Sequence, residues 1–119
     1  MELTLQPADG ELVRVACAGQ IMQYHIPPGT HPLEKLAGPD VFARRILFSL
    51  ARITFLDTSG IAWMLSCHKR CLRAGGRIVF HSAPPLIDDV LKVLRMELVL
   101  NLAADEAAAR ARALEPDRP

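Results

Sequence analysis

Between residues 45 and 81 the hydrophobic pattern changes period twice, and that change restricts the fold more than any other feature of the chain. Arg45-Ile46-Leu47-Phe48-Ser49-Leu50 is a compact apolar run of the kind a buried strand carries. From Ser59 the spacing turns helical. Ile61, Leu65, His68 and Leu72 fall on one stripe, flanked by Met64 and Cys71, and Gly75-Gly76 stops the run. Arg77-Ile78-Val79-Phe80-His81 is then a second strand. Strand, helix and strand at such short spacing form a crossover unit, which is right-handed between parallel strands.

The flanks extend this unit in both directions. Leu3 and Leu5 alternate with polar neighbours, Pro7-Ala8-Asp9-Gly10 supplies turn chemistry, and Val13, Val15 and Cys17 alternate again before Gly19. This pattern predicts a hairpin at the amino end, with antiparallel pairing. Beyond the crossover, a helix opens at Pro84-Pro85. Leu86, Ile87, Val90, Leu91 and Leu94 are expected inward, and Asp88, Asp89, Lys92 and Arg95 outward. Leu98-Val99-Leu100 reads as a third apolar strand, and residues 105–114 as a last helix in which Ala107, Ala111 and Leu114 share a face. Residues 20–41 are different: Pro27, Pro28, Pro32 and Pro39 break any long element. Only a short helical turn over 31–36 fits there, with Thr30 as cap and Gly38 just past the end. The expected fold is one α/β domain over residues 1–114, a mixed sheet with helices packed on it, followed by a frayed tail over 115–119.

Composition narrows the function. A chain of 119 residues has room for one domain, and 50% hydrophobic with 23% charged residues suits a folded one. Fourteen Lys and Arg against thirteen Asp and Glu leave a net charge of +1, without the cationic surplus of a general nucleic-acid binder. Three cysteines, an odd number, argue against a secreted disulfide scaffold. No apolar run approaches the ~20 residues of a membrane span, and Met1-Glu2-Leu3-Thr4 lacks a signal peptide's basic and apolar regions. A cytoplasmic protein without membrane partners is expected.

The chemistry-bearing residues are few. Ser59 lies just past a strand and opens a helix, the end of an α/β sheet where ligands and modifications act. The bland reading is that Ser59 and Asp57 merely cap the helix. Cys67 and Cys71 stand at i and i+4 and could hold two corners of a metal site, but no second pair of ligands accompanies them, so no metal is expected. Lys69, Arg70, Arg73 and Arg77 are read as favourable charge at a helix C-terminus. Trp63, the single tryptophan, belongs either to a second buried face or to an exposed anchor for a partner. No Gly-x-Ser-x-Gly elbow surrounds Ser59, and no phosphate-cradling glycine loop is present. The chain does not read as an enzyme.

Ile53-Thr54-Phe55-Leu56-Asp57-Thr58-Ser59-Gly60-Ile61, the helix that follows, and Ala74-Gly75-Gly76-Arg77-Ile78-Val79 together resemble the STAS domain family, the anti-sigma factor antagonists. In that family a strand leads into Asp-Ser-Ser-Gly or Asp-Thr-Ser-Gly, then a helix, Gly-Gly and a second strand. The likeness runs from about residue 44 to residue 114. It implies that Ser59 is phosphorylated by an anti-sigma factor that is a serine kinase of the GHKL-ATPase type, with Thr58 the less favoured acceptor and Asp57 and Gly60 supporting the motif. The unphosphorylated form would bind that kinase and free the sigma factor. The contact is expected to centre on an exposed helix start that includes Gly60, Ile61 and Met64. No cofactor is implied. The physics is compatible, since a phosphate at a helix start is favoured by the dipole, while its charge of about −1.5 to −2 beside Asp57 would repel a surface that accepts the hydroxyl.

The amino-terminal third departs from the family. Gly19-Gln20-Ile21-Met22 places Met22 where the family carries an aspartate linked to phosphorylation and partner binding, and Ser49 stands where an aspartate often ends the third strand. A second reading therefore stays open: a constitutive scaffold or small-ligand-binding module of the same fold, without a switch.

Overall fold

The computed structural model describes residues 1–21 and 31–116. Met22, Thr30 and the last part of the 115–119 tail lie outside the described residues. The element order is β1 (Glu2–Asp9), β2 (Leu12–Ile21), α1 (Pro32–Ala37), a 3-10 turn (Val41–Ala43), β3 (Arg45–Leu56), α2 (Thr58–Ala74), β4 (Arg77–His81), α3 (Pro85–Val93), a second 3-10 turn (Met96–Leu98), β5 (Asn101–Ala103) and α4 (Glu106–Ala113). The five strands form one sheet in the order β1-β2-β3-β4-β5. The β1–β2 hairpin is antiparallel, turned at Gly10 with φ 61, and the other three pairings are parallel. This is the mixed α/β sheet that the changes of period predict.

Strand alternation splits the apolar residues between two layers. Ile46, Phe48 and Leu50 of β3 and Ile78 and Phe80 of β4 face the main core, which also holds Leu33 of α1, Trp63, Met64 and Cys67 of α2, and Ile87 and Leu91 of α3. Leu12, Leu47 and Val79 point the other way and are covered by Ala109 and Ala113 of α4. The small alanines let α4 lie close to the sheet. Its last carbonyls are closed by two arginines from the sheet: Arg77 Nη1 donates to the carbonyl oxygens of Arg112 and Glu115, both at 2.8 Å, and Arg45 Nη1 to those of Ala113 and Glu115. The hairpin is tied to the same helix by Arg14–Glu106 at 2.8 Å and Arg110–Asp9 at 2.6 Å.

Several sequence expectations are corrected. β3 does not stop at Leu50 but runs twelve residues to Leu56, because β2 continues beside it to Ile21 with two register shifts. The third apolar strand is displaced. Arg95 takes φ 58 and ends α3, a 3-10 turn carries Leu98 into solvent at 74% exposure, and the pairing strand is Asn101–Ala103. In α2 the buried face is Gly60, Ile61, Trp63, Met64, Cys67 and Cys71. Leu65 and His68 are only half-buried, and Leu72 is exposed. In α3 only Ile87 and Leu91 are buried, and Leu86 is turned out. In α4 the inward pair is Ala109 and Ala113, not Ala107, Ala111 and Leu114. The differences in α2, α3 and α4 are each a rotation of a helix about its axis, chosen by the layer it meets.

Candidate functional site

The end of β3 and the start of α2 meet at Asp57, in extended backbone at φ −109, ψ −175. Asp57 is the N-cap. Its Oδ1 accepts from the Gly60 N–H at 2.9 Å and from the Ser59 hydroxyl at 2.7 Å, while its carbonyl accepts from the Ile61 N–H at 3.0 Å. Thr58, Ser59 and Gly60 are thus the first three residues of the helix, and Ser59 is not the cap that its position suggested. Asp57 takes that role because its backbone is still extended at the strand end while Ser59 already lies within the helix. The Ser59 hydroxyl and then the Gly60 N–H hold the Asp57 carboxyl below the usual carboxylate range.

Thr58 is exposed and Ser59 half-buried at the carboxyl end of the parallel strands. The Ser59 hydroxyl donates its proton to Asp57 in the first turn of α2, where the leading N–H groups have no carbonyl of their own helix to bond. Esterification of the hydroxyl by phosphate removes the donated proton and sets a second negative group against the Asp57 carboxylate. The arrangement can therefore convert one covalent change into loss of the Ser59–Asp57 hydrogen bond and a concentration of negative charge at the start of α2.

Gly60, Ile61 and Met64 do not form an exposed helix start. All three are buried, Met64 completely. A Cβ at Gly60 would stand 2.0 Å from the Ile21 carbonyl oxygen and 2.8 Å from Leu56 Cδ1, so the glycine is where α2 presses against the end of β2. Nothing in the local sequence signals that contact. The outward residues at this end of α2 are Thr58 and Ala62.

A second cluster that the sequence does not announce lies further along α2. His31 caps α1, its Nδ1 accepting from the Leu33 N–H at 3.1 Å, with Nε2 3.7 Å from Cys67 Sγ. Its ring stacks on Trp63 with centroids 5.6 Å apart and meets the edge of Phe42 at 4.9 Å. Burial, reinforced by Arg70, pushes the His31 pKa down to about 4. Trp63 is therefore a core residue and not an exposed anchor, at 3% exposure, and its Nε1 has no hydrogen-bond partner among the described residues. Burial raises Cys71 to about 12 and Cys67 higher still, so both remain thiols. Among the described residues no group of three His, Cys, Asp or Glu is placed to hold a metal ion.

The family model for the STAS domain matches residues 10–109. The chain belongs to the STAS domain family. Its fold is similar to that of the anti-sigma factor antagonist SpoIIAA in its unphosphorylated form, at 18% identity and TM-score 0.62 over 97% of this chain and 100% of that one. It is also similar to the phosphorylated form of SpoIIAA, the Bacillus cell fate determinant, at 18% identity and TM-score 0.58 over 93% and 99% of the two chains. The NMR structure of the protein TM1081 matches at 13% identity and TM-score 0.70, over 94% of this chain and 88% of that one. At these identities the likeness concerns the fold. No helix among the described residues is long and apolar enough to cross a membrane.

Proposed function

We infer that this STAS domain is a cytoplasmic anti-sigma factor antagonist whose partner is a serine kinase of the GHKL-ATPase type, and that Ser59 is the residue phosphorylated. The observation that carries the reading is the 2.7 Å hydrogen bond from the Ser59 hydroxyl to the N-cap carboxylate of Asp57. It gives a phosphate at Ser59 something to break and a charge to oppose. The structural likeness to both forms of SpoIIAA supports the same reading. With Gly60, Ile61 and Met64 buried beneath it, the partner contact falls on Thr58, Ser59 and Ala62, and Gly60 serves the contact only by letting α2 close on β2. The three free thiols suit a reducing compartment.

The test is incubation with ATP and the serine kinases encoded beside this protein, read by intact mass and by binding. A single phosphate on Ser59, lost in Ser59→Ala, is expected. Ser59→Ala should stay folded, losing about 1 kcal/mol with the hydrogen bond, and should bind its kinase constitutively. Ser59→Asp lacks the donor and opposes Asp57, so it should bind at least tenfold more weakly. Equal kinase affinity of the two variants, or a phosphate mapped away from Ser59 and Thr58, refutes the switch and leaves the constitutive scaffold or small-ligand module.

A further inference from the structure

The helices differ in what seats them on the sheet. α2 sets Ile61, Trp63, Met64, Cys67 and Cys71 into the core, and α3 sets Ile87 and Leu91. The buried residues of α4 are Ala109 and Ala113, which bring a methyl group each. Beneath them lie Leu12, Leu47 and Val79, none more than 1% exposed. The other ties are ionic. Among the described residues four arginines join α4 to the sheet: Arg14 pairs with Glu106, Arg110 of the helix pairs with Asp9, and Arg45 and Arg77 donate to its last carbonyls. The side chains of Glu106, Arg110 and Asp9 are each at least 44% exposed. Salt weakens exposed pairs of this kind, and it weakens the attraction between an arginine and the end of a helix.

We propose that α4 is a strap that opens as a unit while the rest of the domain stays folded, its closed population set by ionic strength. The hinge is Ala104-Asp105, both exposed, between the end of β5 and Glu106. The eight residues of α4 make too short a helix to persist alone in water, even an alanine-rich one whose Asp105 cap accepts from the Ala108 N–H, so α4 melts when it leaves the sheet. No strand goes with it. The five strands pair through their own backbones, and the main core lies on the opposite face. Opening bares Leu12, Leu47 and Val79 and parts Arg45 and Arg77 from the helix carbonyls. The other charged residues of the segment, Asp105, Arg112 and Glu115, are already exposed when it is closed. Segments held by few buried apolar contacts open at the low end of a protein's range of local stabilities. The strap is independent of Ser59 and of the proposed switch.

Native-state hydrogen exchange of the full chain is the test, in about 20 mM and about 500 mM NaCl, between which the Debye length falls from roughly 20 Å to roughly 4 Å. The amides of Ala109 to Leu114, bonded within the helix, should exchange at least tenfold faster than those at the buried centres of β3 and β4. High salt should speed α4 at least fivefold and the strand centres less than twofold. Alkylation by iodoacetamide, a neutral reagent, is the second measurement. Val79→Cys puts a thiol beneath α4, while Cys17, Cys67 and Cys71 in the main core serve as internal controls. The added thiol should react at least tenfold faster than the native three, and faster again in high salt. Exchange of α4 at the rate of the strand centres, an added thiol no more reactive than the native ones, or opening indifferent to salt overturns the proposal.

Discussion

Gly60→Ala adds a single methyl group at the candidate site, and the structure states what that methyl meets. An ideal Cβ would lie 2.0 Å from the Ile21 carbonyl oxygen, 2.8 Å from Leu56 Cδ1 and 2.9 Å from the Ile21 carbonyl carbon. Bringing the first contact out to 3.0 Å requires α2 and β2 to separate by about 1 Å, and backbone stands on both sides, so no rotamer change relieves it. Overpacking of a close-packed interior costs about 1–3 kcal/mol where side chains can yield. With a carbonyl as the obstacle the cost lies at or above the top of that range. Alanine returns about 1 kcal/mol through its better helix propensity. The net expectation is a loss of about 2 kcal/mol or more, equivalent to a fall in melting temperature of roughly 8 °C for a domain of this size. Urea unfolding followed by far-ultraviolet circular dichroism measures it. Gly75→Ala is the control. Nothing lies within 4 Å of its added Cβ, so the only cost is its left-handed φ of 84, on the order of 1 kcal/mol. A Gly60→Ala protein within 0.5 kcal/mol of the wild type would refute the close approach and return Gly60 to a role at an open partner surface.

Two further outcomes rest on the His31 cluster. Because the folded His31 pKa lies near 4, below the 6.5 of the unfolded chain, the unfolded state takes up the proton first. Its contribution is therefore complete above pH 6.5 and is lost as the pH falls from 6.5 toward 4. With allowance for solvent screening, the loss is of order 2 kcal/mol. It should appear in urea midpoints and in the fluorescence of Trp63, stacked 5.6 Å away, and His31→Asn, which keeps a capping oxygen, should shrink the loss over that window to what His68 and His81, also lowered by burial, contribute. An unchanged pH profile in His31→Asn would show that another group titrates there. Trp63→Phe removes an indole N–H that has no partner among the described residues, so relief of its desolvation, about 1–3 kcal/mol, should offset much of the lost volume. Stability within about 1 kcal/mol of the wild type is expected, and a loss above 3 kcal/mol would mean that the indole N–H has a partner after all.

What the sequence by itself determined is what neighbouring residues decide among themselves. The change of period between residues 45 and 81, the prolines and the Gly75-Gly76 stop specify strand, helix and strand, and short parallel crossovers leave few topologies for them. The Asp57-Thr58-Ser59-Gly60 segment opens a helix because its side chains can bond its own backbone. Distance in sequence is the limit of that reading. Which of two acceptors caps the helix was decided by geometry at the strand end, and Asp57 took both the Gly60 N–H and the Ser59 hydroxyl. The side of α2 that is buried was decided by α1, the 3-10 turn and the sheet, which draw in Trp63 and Cys67 and leave Leu72 in water. Gly60 reads as an open helix start in one dimension and is a point of contact with Ile21 in three, thirty-nine residues away. Hydrophobic burial has no direction of its own, so an amphipathic pattern supports several rotations of a helix, and only the shape of the surface it packs against selects one.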